Sequence, residues 1–500
     1  MRETRTRAPA EGTRRVGVAP PPAGAPDAPA LPEAPAPVGP DGPTEPDGRA
    51  PSLRDVLANR PFRALWIAQV FSQFAQNLTW IALGAFVQNQ TGKSTFVSIL
   101  TVSAMLAQLL LSGFAGVLVD RASKRGVLVA SNAIRVVLAL FFVAMTRLDV
   151  GVQTTGIIAL VFVANAVAQF FTPAEASTIP LIVEKRNLLA ASSLFNITLN
   201  ACQAAPAIFG LLLLDLIGIV PVLLGVAACY VVAALFVATL PEETTVSRPI
   251  PVAGSLRASA RQLADDAREA IHFLARDPGL RLTIFQINIA PTFLFVFATL
   301  GLKFVQVTFN LPSERTWLLL VPAGAGLVAG ALGMGRVAAR ARKESLINVG
   351  LLTLGVAVTV LGAVAPIADA FGFAAGRAGS FIGRHVHSLP AEPRNLGLIG
   401  PAMAIAVVIG LAMALSTIPA QTLVFERTSE EVRGRVLAAQ QLIGGAIPIV
   451  PLLVVAPLAD LFGPAAVMTG LGVAIVLVGA LSIHLDRGMR KSPHPPTLQG

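Results

Sequence analysis

The sequence contains little charge and almost no cysteine. Of its 500 residues, 13% are charged and 54% are hydrophobic, with a mean hydropathy of +0.70, which is too apolar for a soluble globular protein. Both cysteines, Cys202 and Cys229, lie inside apolar segments, so the sequence indicates neither a disulfide framework nor a cysteine metal site. We therefore expect most of the chain to lie in lipid.

The sequence also lacks the patterns that mark enzymes. It has no Gly-rich nucleotide loop, no catalytic triad and no paired catalytic carboxylates. His385 and His387 have the spacing of two metal ligands, but two ligands in a long loop are usually solvated side chains. We expect no enzymatic activity, no cofactor and no metal ion.

Residues 1–54 are rich in Pro, Ala and Gly and cannot bury enough apolar surface to offset the entropy of ordering. No apolar stretch follows Arg14 and Arg15, so a signal peptide is not expected. We predict a disordered cytoplasmic tail here and a second cytoplasmic tail at 487–500.

From Pro61 onward, apolar runs of roughly twenty residues recur, each long enough to cross a hydrocarbon core of about 30 Å as a helix. Twelve such runs predict an all-α membrane protein with twelve transmembrane helices in two six-helix bundles, at 55–240 and 281–486. The first six runs cover 62–88, 95–118, 127–146, 155–178, 191–214 and 218–240. The second six cover 281–303, 316–338, 345–366, 396–420, 436–459 and 465–484.

The net charge of +10 comes from cations placed between the apolar runs rather than from a continuous basic face with interleaved aromatics, so no nucleic-acid partner is expected. Placing both termini in the cytoplasm leaves only seven of the 38 Lys and Arg outside, as the positive-inside rule requires. The seven are Lys93, Arg147, Lys303, Arg315, Arg377, Arg384 and Arg394. We expect a multi-pass protein of the plasma membrane.

A polar segment, 241–280, separates the two predicted bundles. Within it, apolar residues recur at helical spacing, which predicts an amphipathic helix on the inner membrane face that ends at Pro278. The apolar residues are Leu256, Leu263, Ile271 and Leu274.

The two predicted bundles repeat one another. The segment starting at Thr172 is similar to the segment starting at Thr417, with Pro173 corresponding to Pro419. The fifth and eleventh runs also end alike, in Asp215 and Asp460. Such a repeat is typical of transporters that bind substrate near the midplane between two halves.

Amide side chains inside the apolar runs are candidates for a binding cavity, because unpartnered polar groups destabilise insertion. In the first run they fall at i, i+4 and i+7 with Trp80 at i+11, which places them on one helix face. The alternative is that they hydrogen-bond neighbouring helices, which we favour for the fifth run. The candidate substrate-binding residues are Gln69, Gln73, Gln76, Asn77, Asn165, Gln169 and Gln286.

Arg135 is an ionisable residue well inside a predicted span, about two turns into the third helix. A guanidinium there needs a partner or must extend to the membrane surface. Glu175 in the fourth run is the nearest plausible acid, so we expect either a buried Arg135–Glu175 pair or contact of Arg135 with lipid phosphate.

The loop GVLVDRASKR at 116–125 resembles the loop between the second and third helices of the major facilitator superfamily, although Ser123 stands where that family prefers Gly. The resemblance covers roughly residues 55–490. Within the superfamily, the segments starting at Phe62 and Glu426 resemble bacterial exporters of drugs and of siderophores such as enterobactin. The matching loop residues are Gly116, Leu118, Asp120, Arg121, Lys124 and Arg125.

This resemblance implies a monomeric secondary transporter that exports a small amphipathic or hydrophobic compound by alternating access, with helices one, four, seven and ten around the site. It leaves open whether protons drive an antiport. It also implies a cytoplasmic latch in which Asp120 meets the start of the eleventh helix. The predicted gating residues are Gly116, Asp120, Arg121, Arg125, Arg433 and Arg435. A lipid flippase or scramblase, a non-transporting sensor and an importer stay open as alternatives.

Overall fold

The computed structural model describes residues 53–241, 278–338, 341–370, 393–427, 440 and 443–491. The chain divides into two units, 1–50 and 51–500, and the described residues belong to the second. Every regular element in the described ranges is a helix, so the predicted all-α class is confirmed. Residues 1–52 and 492–500, which make up most of the two predicted tails, lie outside the described residues. So do the apolar residues of the amphipathic segment and both histidines of the long loop.

Twelve long helices run through the described part of the chain, each close to a predicted apolar run. We number them in chain order and leave the shorter helical pieces unnumbered. The first six are α1 (Arg60–Thr91), α2 (Ser94–Arg121), α3 (Lys124–Met145), α4 (Val150–Ile182), α5 (Leu188–Ile217) and α6 (Ile219–Ala238). The second six are α7 (Pro278–Phe309), α8 (Trp317–Ala338), α9 (Lys343–Gly362), α10 (Pro393–Arg427), α11 (Ile449–Phe462) and α12 (Pro464–Lys491).

Ten helical segments in the described ranges are long and apolar enough to span a membrane, which confirms a multi-pass membrane protein. Helices α1 and α5 are not among the ten, although they have 32 and 30 residues. In α1 a row of amide side chains lowers the hydropathy, and this helix carries most of the candidate binding residues.

The helices alternate in direction, so α1 begins at the same end at which α12 finishes. We call this the inner end, and the end where α1 gives way to α2 the outer end, following the orientation expected from the sequence. Two outer turns repeat between the halves, because Asp215 is followed by Gly218 and Asp460 by Gly463 at the same distance. Both glycines have positive φ, 80° and 87°, so each forms a one-residue turn that a side chain would strain.

Each half has its own buried apolar core. Phe62, Leu128 and Phe171 centre a cluster built from the first six helices and the short helix before them. Phe304, Leu354 and Met468 belong to a cluster built from the last six helices and the segments beside them. A third cluster joins the halves near the outer end, because Leu302 of α7 packs among residues of α1 and its neighbours.

Glycines let helices of the second half approach at the backbone. A Cβ atom built on Gly410 of α10 would overlap the carbonyl oxygen of Ala323 on α8, and one on Gly326 would overlap that of Val407. A Cβ on Gly355 of α9 would lie 2.7 Å from the Val476 nitrogen of α12. These seams fix the packing of α8, α9, α10 and α12 within the second half.

Candidate substrate site and outer contacts

The amide face of α1 is divided by depth. Gln69 is fully buried, and its Nε2 donates a 3.2 Å hydrogen bond to the carbonyl oxygen of Phe195 on α5. Trp66 of α1, one turn nearer the inner end, donates a 2.8 Å hydrogen bond to Thr198, which also lies on α5. In this structure α5 covers the inner part of this face and Gln69 bonds to it, so a role of Gln69 in substrate binding stays a prediction.

Further along α1, the same face is not covered. Gln73, Gln76 and Asn77 are half-buried. The side chain of neither glutamine makes a hydrogen bond to another described residue. Asn77 donates only to the carbonyl oxygen of Gln73 in its own helix, at 2.9 Å. Trp80 meets Phe295 of α7 edge to face, with ring centroids 6.2 Å apart. This part of α1 thus faces the other half of the protein, with an aromatic contact on the outer side of its amides.

The amides of α4 turn back on their own helix. Asn165 Nδ2 donates to the Val161 carbonyl oxygen at 2.9 Å, and Gln169 Nε2 donates to the Asn165 carbonyl oxygen at 3.2 Å. Both side chains are half-buried. This geometry uses one of the two N–H donors of each amide and leaves the second donor and the side-chain oxygen for other partners. No hydrogen bond among the described residues joins these amides to those of α1.

Gln286 of α7 lies in a buried polar triad within the second half. Its Nε2 donates to Asn348 Oδ1 of α9 at 3.1 Å and also to Ser482 of α12, and Ser482 Oγ donates to Asn348 Oδ1 at 3.0 Å. The amide nitrogen of Gln286 is bonded to neighbouring helices in this structure, and its role in substrate binding stays a prediction.

The first half contains a comparable buried network around Arg135. Ser72 Oγ of α1 donates to Asn132 Oδ1 of α3 at 3.1 Å and accepts from Arg135 Nη1 at 2.7 Å. Both networks therefore use an asparagine of the third helix of their half to accept from the first helix. Such bonds tie helices together in lipid, where water cannot satisfy the same groups.

Arg135 and Glu175 lie in this network without a direct ion pair. Arg135 is only 2% exposed, and its guanidinium carbon lies 5.0 Å from the ring centroid of Phe171 and 5.6 Å from that of Tyr230. Glu175 interacts electrostatically with Arg135, but its buried Oε1 has no hydrogen-bond partner. Hydroxyl and ring contacts hold Arg135 in this structure, and the two expectations for it, pairing with Glu175 or contact with lipid phosphate, stay predictions.

The described residues include only part of the predicted inner latch. The segment containing Arg433 and Arg435 and the side chains of Asp120 and Arg121 lie outside the described residues. Arg125 Nη2 donates a 2.7 Å bond to the Ala238 carbonyl oxygen, at the end of α6 in the same half. A Cβ atom on Gly116 would meet no described residue within 4 Å, and because the segment with Arg433 and Arg435 lies outside the described residues, the gating role of Gly116 stays a prediction.

Polar contacts join the two halves at the outer end. Asn89 at the end of α1 donates to Glu314 at 2.5 Å and accepts from Gln306 Nε2 at 2.6 Å and from Ser313 Oγ at 2.7 Å. Gln88 Nε2 donates to Gln306 Oε1 at 2.9 Å. The outer end is therefore closed between α1 and α7.

Two acids of the repeat make further contacts there. Asp460 of α11 accepts bonds from the backbone nitrogens of Ser94 and Thr95 at 2.9 and 3.0 Å, and it forms an ion pair with Lys303. Asp215 Oδ1 of α5 lies 3.7 Å from Arg315 Nε. The sequence signal was present, because both acids end a run of the repeat and both cations are among the seven assigned outside.

Comparison with known proteins agrees with this architecture. Residues 65–389 match the family model of the Major Facilitator Superfamily. The chain belongs to this superfamily. It is 21% identical over 318 residues to the uncharacterised MFS-type transporter YkuC of Bacillus subtilis (strain 168), covering 62% of this chain and 72% of that protein.

Solved structures show the same major facilitator fold. The nucleoside transporter NupG superposes with a TM-score of 0.61 at 13% identity, covering 85% of this chain and 99% of NupG. A POT family transporter in complex with a thioalcohol-conjugated peptide superposes with a TM-score of 0.58 at 10% identity, covering 86% of this chain and 97% of that one. At such identities the likeness concerns the fold alone.

Proposed function

We propose that this major facilitator is a secondary active exporter that moves small, uncharged, amphipathic compounds across the plasma membrane by alternating access. Both termini lie in the cytoplasm in this proposal. The observation that carries it is the open part of the α1 face, where Gln73 and Gln76 are half-buried without hydrogen-bond partners among the described residues. Unsatisfied amides facing the opposite half are suited to hydrogen-bonding a guest at the midplane.

The chemistry of this face favours a neutral substrate. Gln73, Gln76 and Asn77 offer donors and acceptors, and Trp80 with Phe295 offers an aromatic wall. Arg135 and Glu175, the buried charged residues among the described residues of this half, lie inside the bundle, where Arg135 bonds to Ser72. An ion entering the site would lose hydration without gaining a counter-charge from these residues, whereas a neutral amphipathic molecule would not. Asn165 and Gln169 of α4 belong to the same proposed site.

The export direction is supported by the resemblance to drug and siderophore exporters. The closed outer end fits one state of an alternating cycle, in which the site is reached from the inner side. A secondary transporter draws its energy from an ion gradient, and we propose proton antiport as the version to test first.

An accumulation assay in an efflux-deficient host tests the proposal. Matched dyes that share a scaffold but are neutral, cationic or anionic would be loaded into cells with and without the protein, before and after addition of a proton uncoupler. We expect the protein to lower accumulation of the neutral dye most strongly, and the uncoupler to abolish this effect. Raised accumulation would indicate import, and efflux that survives the uncoupler would exclude proton antiport.

A further inference from the structure

Asp460 links three helices across the boundary between the halves. It lies near the outer end of α11 and accepts from the Ser94 and Thr95 nitrogens, from Thr95 Oγ1 at 2.5 Å and from Lys303 of α7. The side chains of Lys303 and Asp460 are 12% and 15% exposed. This carboxylate therefore has four donors, three of them on the first turn of α2 in the opposite half.

The first turn of α2 is a favourable partner for an anion. The first N–H groups of a helix have no partner within the helix, and together they carry about half a positive charge. Asp460 satisfies two of these donors, and Lys303 balances its charge in a largely buried place. Bonds to an ionised acceptor are roughly twice as strong as neutral ones, and partial burial reduces screening by water.

Asp215 occupies the corresponding place in the other half. It ends α5 as Asp460 ends α11, and each acid is followed three residues later by the glycine of a one-residue turn. Asp215 contacts Arg315, which lies in the short helical turn Ser313–Thr316 immediately before α8. Each acid thus reaches the approach to the second helix of the opposite half, but Asp215 does so by one contact at 3.7 Å.

We propose that Asp460 and Asp215 form a pair of outer clamps that hold the outer end closed, with Asp460 the stronger of the two. Opening outward separates α2 from α11, so the bonds of Asp460 to the first turn of α2 must break. The strength of this contact then sets the ratio of outward-closed to outward-open molecules. The proposal rests on the proposed alternating-access function, but its test measures conformation and needs no substrate.

The test uses a single reporter cysteine on the open face of α1. Gln76→Cys would be introduced after Cys202 and Cys229 are replaced by Ala, and the cells would be treated from outside with a membrane-impermeant maleimide. We expect Asp460→Asn to raise the labelling rate about tenfold, which corresponds to about 1.4 kcal/mol. Asp215→Asn should raise it by a smaller factor. In inside-out vesicles the same variants should label more slowly, because a shift between two states changes the two sides in opposite directions.

Controls separate the clamp from other effects. Asp149→Asn removes an exposed acid near the outer end of α4 and should leave both labelling rates unchanged. Faster labelling from both sides would indicate loosened packing and overturn the proposal, as would an Asp460→Asn rate equal to that of the Asp149 control. Should Asp460→Asn fail to fold, Thr95→Val removes one donor and is expected to give a smaller rise.

A charge exchange tests the role of the helix terminus. In the Lys303→Asp, Asp460→Lys double variant an ion pair can form, but a cation faces the first turn of α2. We expect outside labelling to stay fast in this variant. Wild-type labelling would show that an ion pair alone closes the outer end and would overturn the role of the α2 terminus. A labelling shift, together with no export of any compound by the protein that retains Gln76, would uphold the clamps while removing the proposed function.

Discussion

The guanidinium of Arg135 lies over the ring of Phe171, 5.0 Å from its centroid, in the interior of the first half. A desolvated cation–π contact contributes about 2 kcal/mol, and Arg135 makes a second one with Tyr230 and a bond to Ser72. The flat, weakly hydrated guanidinium is suited to this place, whereas the compact ammonium of lysine is not.

We predict that exchanging the charges of Arg135 and Glu175 does not restore what either single replacement loses. The exchanged arginine would lie on α4 without the Ser72 bond, and a carboxylate would face two rings. Thermal unfolding in detergent measures the effect. Arg135→Met and the exchanged double variant should both unfold at a lower temperature than wild type, because breaking a buried charge network lowers the free energy of unfolding by about 3 kcal/mol. Arg135→Lys should lie between them and wild type. Wild-type stability of the exchanged protein would show a simple ion pair instead.

Gln69 and Gln76 are predicted to differ although they share one face of α1. Gln69→Leu removes a buried bond to α5 and should lower expression and the melting temperature. The expected loss in the free energy of unfolding is about 1 kcal/mol or more. Gln76→Leu removes no bond to a described residue and makes the helix more apolar, so expression should hold while transport of a neutral dye falls severalfold. Each variant is the control for the other. Equal loss of expression, or transport untouched by Gln76→Leu, would favour helix–helix bonding for both.

Gln69 and Gln76 show which features of the site can be predicted from the sequence and which cannot. Helical spacing placed Gln69, Gln73, Gln76 and Trp80 on one face, as found. Spacing carries no information on where a neighbouring helix crosses that face, so the cover that α5 provides over Gln69 could not be predicted. The same holds for Gln286, since the two amides of its run, Gln286 and Asn288, do not share a helix face.

The twelve helices, by contrast, followed from apolar length alone, because lipid requires every backbone group to be paired within the helix. The outer contacts of Asp215 and Asp460 were within reach, since each acid ends a run of the repeat and Lys303 and Arg315 are two of the seven cations assigned outside. Choosing their partners required knowledge of which helices of the two halves adjoin.

Glycine substitutions should separate packing in the second half from the loop-side glycine of α2. Gly410→Ala puts a methyl group against the Ala323 carbonyl oxygen, where backbone must move, so we expect poor expression and early unfolding. Gly116→Ala has open space in this conformation and should fold as wild type. Fluorescence-detected gel filtration of tagged protein checks both, and normal folding of Gly410→Ala would contradict the close α8–α10 packing.

The orientation proposed for the chain predicts that the loop 367–395 is outside. A cysteine introduced at Ser380 should react with an impermeant maleimide on intact cells, whereas one at Ser123, between α2 and α3, should react only after permeabilisation. The opposite pattern would invert the orientation. Expression of each variant is verified first, so that a missing signal is not mistaken for an inaccessible cysteine.

The last prediction concerns Asp120, at the inner end of α2. Helices α2 and α11 run in opposite directions, and at the outer end the acid near the end of α11 caps the start of α2. The predicted latch would place Asp120 near Arg433 and Arg435, in a segment before α11 that lies outside the described residues. Alternating access opens one end of the α2–α11 pair at a time, so the outer cap and the inner cap break in opposite states. The outer cap should favour the outward-closed state, and the inner cap should favour the inward-closed state. Asp120→Asn is therefore expected to fold normally, to slow transport, and to speed labelling of the Gln76→Cys reporter from the inner side, whereas Asp460→Asn speeds it from outside. If Asp120→Asn leaves both labelling and transport unchanged, Asp120 is a solvated loop acid and the inner cap does not exist.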